Sequence, residues 1–145
     1  MPFRRRSRNA KIELLGGVSL FSACSNRELT RIASLADEIE VPEGRVLIRQ
    51  GEPGREFFVI VEGKAKVSAR GKRAKTLGPG SGLGELSLLD QAPRSATVTA
   101  ASDMHLLVLD SRSFSSLIAE VPSVAGKIFR VLAARLREAE REAAH

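Results

Sequence analysis

A chain of 145 residues, 43% of them apolar, is long enough to bury a real core in one domain, which excludes global disorder. No apolar run reaches the ~18–20 residues that cross a membrane, the opening MPFRRRSRNAK lacks the apolar stretch of a secretory signal, and a single cysteine, Cys24, rules out an internal disulfide. The net charge of +6 is local: Arg4, Arg5, Arg6, Arg8 and Lys11 hold five positive charges, and the remaining residues carry 18 basic against 17 acidic side chains.

Residues 1–17 therefore read as a basic tail with a short helical piece around Lys11–Leu15 that stops at Gly16-Gly17. The bland expectation is a solvated, mobile tail; the sharper one is an electrostatic contact with an acidic partner, phospholipid or nucleic acid. A lone cysteine fits a reducing compartment, so the expected location is cytoplasmic.

Ser25-Asn26-Arg27-Glu28 has the form of a capping box and predicts a helix start. Leu29, Ile32, Ala33, Leu35 and Ala36 then recur at helical spacing, and the helix is expected to reach Ala36. From Asp37 short apolar segments alternate with turn signals at Pro42-Glu43-Gly44, Gly51 to Gly54, Glu62-Gly63, Gly71-Lys72 and Gly78-Pro79-Gly80. That rhythm predicts a small all-β barrel or jelly roll. Residues 57–61 are apolar at every position and predict a strand buried on both faces. Ala65 and Val67 alternate with Lys64, Lys66 and Ser68, a half-exposed strand. Lys64, Lys66, Arg70, Lys72, Arg73 and Lys75 then sit on the exposed face and turn of a hairpin, where they also raise the local anion concentration.

Residues 82–98, GLGELSLLDQAPRSATV, carry the chemistry. Glu85, when ionised, only accepts hydrogen bonds and suits a sugar hydroxyl. Arg94 offers a planar fork of donors matched to phosphate oxygens. Gly84 lets backbone N–H groups approach an anion. A bland account makes Glu85 a helix cap and Arg94 a surface ion pair with Asp90.

Thr97–Ala100 and Leu106–Leu109 are two further strands, broken at Ser102-Asp103. Asp110 or Ser111 caps a helix with Phe114, Leu117 and Ile118, and Pro122 fits the first turn of a last helix striped by Val124, Ile128, Val131, Leu132, Leu136 and Ala139. Gly126 makes a bend there plausible.

Leu83-Gly84-Glu85-Leu86-Ser87-Leu88-Leu89 followed by Pro93-Arg94-Ser95-Ala96-Thr97-Val98 resembles the phosphate-binding cassette of the cyclic nucleotide-binding domain family, with Leu83 where an aromatic is common. Gly44, the Gln50-Gly51-Glu52-Pro53-Gly54 turn and Val61-Glu62-Gly63 match its other landmarks. The resemblance implies an α+β fold: an eight-stranded β jelly-roll barrel with an N-terminal helical segment and two C-terminal helices. It implies a binding domain over 18–137, preceded by the tail at 1–17 and followed by the helix end at 138–145.

It further implies a non-catalytic regulatory module whose ligand is 3′,5′-cAMP, with cGMP as the alternative. Arg94 is expected on the phosphate and Glu85 on the 2′-hydroxyl, with Leu83, Gly84, Leu86, Ser87, Ser95, Ala96 and Thr97 around them. A short helix starting near Glu85-Leu86 is expected to point free N–H groups at the phosphate. Leu132, Arg135 and Leu136 are expected in a lid over the base, where Arg135 stacks on it or faces solvent. In the family a threonine after the arginine favours guanine; Ser95 stands there. The expected partner is an effector protein or an effector domain beyond this chain, and the chain is either a stand-alone protein or an excised domain.

Other function classes fit less well. The two histidines, His105 and His145, and Cys24 form no HxH, HxxE or CxxC spacing, which argues against a metal site, and no Ser-His-acid set suggests catalysis. His105 is expected to face water at a strand end. The last helix balances Lys127, Arg130, Arg135, Arg137 and Arg141 with Glu138, Glu140 and Glu142, which argues against a nucleic-acid partner. A degenerate domain without ligand is the remaining alternative; an intact Glu85 and Arg94 count against it.

Overall fold

The structure is a computed structural model that describes residues 4–144; Met1–Phe3 of the basic tail and the terminal His145 lie outside the described residues. Eight strands form two antiparallel four-stranded sheets. The first sheet contains β1 (Asp37–Val41), β3 (Glu56–Glu62), β6 (Gly82–Leu83) and β8 (Met104–Asp110), in the order β1-β8-β3-β6. The second contains β2 (Val46–Ile48), β4 (Ala65–Ser68), β5 (Lys75–Leu77) and β7 (Thr97–Ala100), in the order β2-β7-β4-β5. The sheets remain separate, so the expected jelly roll is present as an incompletely closed barrel.

The central strands of the first sheet, β3 and β8, are apolar on both faces because they lie between two cores. Phe58 and Ile60 of β3, with Leu106 and Val108 of β8, pack against the second sheet. Phe57, Val59 and Val61, with Leu107 and Leu109, pack against the helices. This double burial explains why β3 has no alternation in its sequence.

Helix α1 (Arg8–Gly16) starts earlier than the sequence suggested, because Ser7 caps it by accepting from the Ala10 N–H. Helix α2 (Asn26–Ala33) has the full capping box, with Ser25 and Glu28 bonding each other's backbone N–H. It ends three residues before the expected Ala36: the Leu35 and Ala36 N–H groups turn to the Ile32 and Ala33 carbonyls, and the Ser34 hydroxyl to that of Arg31. Helices α4 (Ser111–Glu120, capped by Asp110) and α5 (Pro122–Ala143, with Pro122 at its first position) follow β8 as expected, and α5 runs unbroken through Gly126.

Among the described residues, Arg5, Arg6 and Lys11 of the N-terminal segment make contacts with the domain. The Arg6 guanidinium reaches Glu62 at 2.5 Å and its backbone N–H reaches Glu38 at 2.8 Å; Arg5 and Lys11 lie 3.5 and 3.8 Å from the same Glu38. His105 is also corrected: it is 2% exposed, and its Nε2 lies 3.2 Å from Glu38. A carboxylate this buried requires such partners, since an unpaired buried charge is costly.

Glu28 joins the two ends of the helical layer. Its carboxylate accepts from Lys127 and from the Ser123 hydroxyl, both on α5, besides capping α2. The Lys127 bond, then Ser123, then the Ser25 backbone hold its carboxyl at about 2, below the ordinary 4.5. A depressed carboxyl stabilises the fold above its unfolded pKa and loses that contribution as pH falls. Glu28→Gln is therefore expected to lower unfolding stability by about 1–3 kcal/mol near neutrality. The gap to wild type should close between about pH 4.5 and 2. Urea titrations at several pH values check this, and a pH-independent gap would refute it. Burial, then Glu28, pushes the Cys24 thiol up, so it stays a protonated packing group.

Candidate functional site

A cavity of about 430 Å³ opens between the second sheet and the segment from β6 to β7. Leu83–Ser87 and Arg94–Ala96, all singled out from the sequence, line it. Thr97 does not: its hydroxyl accepts from the Gln50 N–H at 3.0 Å. The opposite wall is apolar, made by Ile48, Val67, Leu77 and Val98, with Lys75 beside them. Of these only Val98 stands in the sequence motif; Ile48, Val67, Leu77 and Lys75 escaped it because they come from β2, β4 and β5, and only strand register brings them to β7.

Arg94 is held at both ends. Its backbone is clasped by the turn before β3: the Arg94 N–H donates to the Glu52 carbonyl at 2.8 Å, the Gly51 N–H to the Arg94 carbonyl at 2.8 Å, and the Gly54 N–H to the Ala92 carbonyl at 3.1 Å. Its side chain donates to the Ser87 hydroxyl and to the Glu56 carbonyl, both at 2.7 Å. The ion pair with Asp90 that the bland account offered is absent; the Asp90 carboxylate instead accepts from the Ala92 N–H. Among the described residues no carboxylate lies within ion-pair distance of Arg94. Burial pulls the guanidinium below its ordinary pKa, and Glu56 opposes that shift only in part.

Two glycines make this geometry possible. A Cβ on Gly84, whose φ is +76°, would stand 2.2 Å from Arg94 Nη1. A Cβ on Gly54 would stand 2.2 Å from the Ser87 hydroxyl that receives Arg94. The glycine before Glu85 thus clears room for the guanidinium, a reason that the sequence reading, built on access to N–H groups, did not contain.

The cassette helix α3 is a single turn, Ser87–Asp90, and starts later than expected. The Ser87 and Leu88 N–H groups are already bonded to the Gly84 and Glu85 carbonyls at 3.1 and 3.2 Å. A helix this short offers little of the aligned dipole expected of it.

Arg135 neither stacks at the cavity nor faces only water. Its guanidinium donates to Glu85 Oε1 at 2.9 Å and to the Ser19 hydroxyl at 2.6 Å. The cassette carboxylate is thereby tied to α5, across 50 residues of chain. Leu132 packs at the edge of the helical core, while Leu136 is 65% exposed. No α5 residue lines the cavity, so the three expected lid residues are not gathered over it. Among the described residues no three His, Cys, Asp or Glu side chains assemble as metal ligands, and no helix is long and apolar enough to cross a membrane.

Fold and cavity define an α+β domain in which a small recess beside a two-sheet core carries a guanidinium, a carboxylate and an apolar wall. Residues 38–121 match the family model described as the cyclic nucleotide-binding domain. The chain belongs to that family. A solved N-terminal domain of a transcriptional regulator from Streptomyces coelicolor superposes with a TM-score of 0.77 at 32% identity, over 87% of this chain and 94% of that one. A cyclic nucleotide-gated potassium channel of Mesorhizobium japonicum is 39% identical over 88% of this chain and 35% of its own length. A CRP-like cAMP-activated global transcriptional regulator of Mycobacterium tuberculosis is 28% identical over 86% of this chain and 58% of its own. This chain therefore spans only part of those curated relatives.

Proposed function

We propose that the chain is a non-catalytic sensor module that binds a 3′,5′-cyclic nucleotide, cAMP more tightly than cGMP, and relays occupancy through α5. The binding unit is residues 18–137. Arg94 pairs with the phosphate and Glu85 accepts from the 2′-hydroxyl, with Gly84, Ser87, Ser95 and Ala96 closing around them. One observation carries the reading: Arg94 is a partly desolvated cation that faces a cavity with neutral hydrogen-bond partners only. Such a group favours an incoming anion, because the desolvation is already in place and charge-assisted bonds are stronger than neutral ones. The cAMP preference is supported by the relative described as cAMP-activated; Ser95, where a threonine would favour guanine, makes that contact only weakly.

The Arg135–Glu85 bond supports the relay. A carboxylate has enough lone pairs to keep Arg135 on one oxygen and take a hydroxyl on the other. Movement of Glu85 on filling is then passed to α5. Output runs through an adjoining domain or partner; relatives regulate transcription in one case and form a potassium channel in another.

Calorimetric titration with cAMP and cGMP tests the binding reading; no binding of either, or tighter cGMP, overturns it or its preference. Arg135→Ala tests the relay. A part-exposed ion pair contributes about 0–1 kcal/mol, so affinity should change by no more than about fivefold. The cAMP-dependent change in amide exchange along residues 130–143 should vanish. Its persistence in the variant would refute the relay.

A further inference from the structure

We propose that Lys75 is a specificity-determining residue of the cavity, with its ammonium donating to the N7 and position-6 edge of the bound purine. The inference rests on the cyclic nucleotide reading. Strand register singles Lys75 out from the hairpin's other cations. Val67 pairs with Lys75, and Ala65 with Leu77, so Lys75 and Leu77 share the inner face of β5 with buried Ala65 and half-buried Val67. Lys66 pairs with Thr76 on the outer face. Of the cations from Lys64 to Lys75, Lys75 alone lines the cavity.

Its place on the wall sets its role. The phosphate and sugar groups are claimed by Arg94 and Glu85 on the cassette. The remaining wall, Ile48, Val67, Leu77 and Val98, is apolar and suits the face of a purine. Lys75 is the charged residue on that wall, and among the described residues its side chain has no hydrogen bond or ion pair of its own. A lysine on such a wall can lay its aliphatic stem along apolar surface and keep its ammonium at the rim.

An ammonium has donors and no acceptor. Guanine and hypoxanthine present two acceptors on this edge, N7 and O6. Adenine presents N7 beside an amino donor that opposes the ammonium. Lys75 thus narrows the margin by which the pocket prefers cAMP.

The test is calorimetry on the full chain with cAMP, cGMP and cyclic IMP, for wild type, Lys75→Met and Lys75→Arg. Cyclic IMP keeps O6 and lacks the 2-amino group, so it separates this contact from one made by Ser95. Lys75→Met should lose about tenfold for cGMP and cyclic IMP and no more than about threefold for cAMP. Lys75→Arg should stay near wild type. Equal losses for all three nucleotides would assign Lys75 to the phosphate or to a general field, and no loss would leave it outside the site; either result overturns the inference. If wild type binds none of the three, the cyclic nucleotide reading itself fails, and this proposal with it.

Discussion

Replacing Arg94 by alanine is expected to weaken cAMP binding by about 2–5 kcal/mol, because the phosphate is then buried without its counter-charge. That is roughly 30-fold to several thousand-fold in Kd. The variant should still fold. Arg94 donates to the Ser87 hydroxyl and to the Glu56 carbonyl at the cavity wall, and neither acceptor is left as a buried charge. The main-chain bonds that join Arg94 to Gly51 and Glu52 do not depend on its side chain. Calorimetry with a melt on the same sample separates loss of affinity from loss of fold. A Kd within threefold of wild type in a folded variant would remove the guanidinium from the site.

Phe21→Ala is expected to cost about 3–5 kcal/mol of unfolding stability. Phe21 sits in the 3₁₀ turn Ser19–Phe21, is 0% exposed, and meets Phe57 edge-on at 6.3 Å and Phe114 at 5.7 Å between ring centroids. It therefore pins the N-terminal segment, β3 and α4 together, and the cavity left by a lost ring cannot collapse from three directions at once. Urea unfolding followed by circular dichroism reads the loss. A change below about 1 kcal/mol would mean the helical layer repacks freely, against the burial on which the estimate rests.

Local chemistry was legible in the chain. The capping box at Ser25 and Glu28 and the glycine-punctuated strands depend on residues close in sequence and stand where expected, and most of the stretch from Leu83 to Val98 is gathered at one cavity. What escaped depends on register or on distant helices. The Lys64–Ser68 alternation put Val67 inward, but nothing local says that Lys75 lies across from it; that follows from the length of the turn between β4 and β5. His105 read as exposed because its burial comes from β1, where Glu40 is its paired neighbour and Glu38 its acidic partner. Arg135 could be assigned to a helix, but a helical projection names a face and not the Glu85 that waits opposite it.

The strand order has one more consequence. β8 lies between β1 and β3, although it is the last strand made. The whole cassette has been synthesised by Val98, yet β1 and β3 have no common neighbour until Met104–Asp110 follows. Nascent chains shorter than this hold the complete ligand motif without the scaffold that shapes it. Such pairing across long sequence separations is slow to form, so the first sheet is joined across its centre only once the last strand is in place.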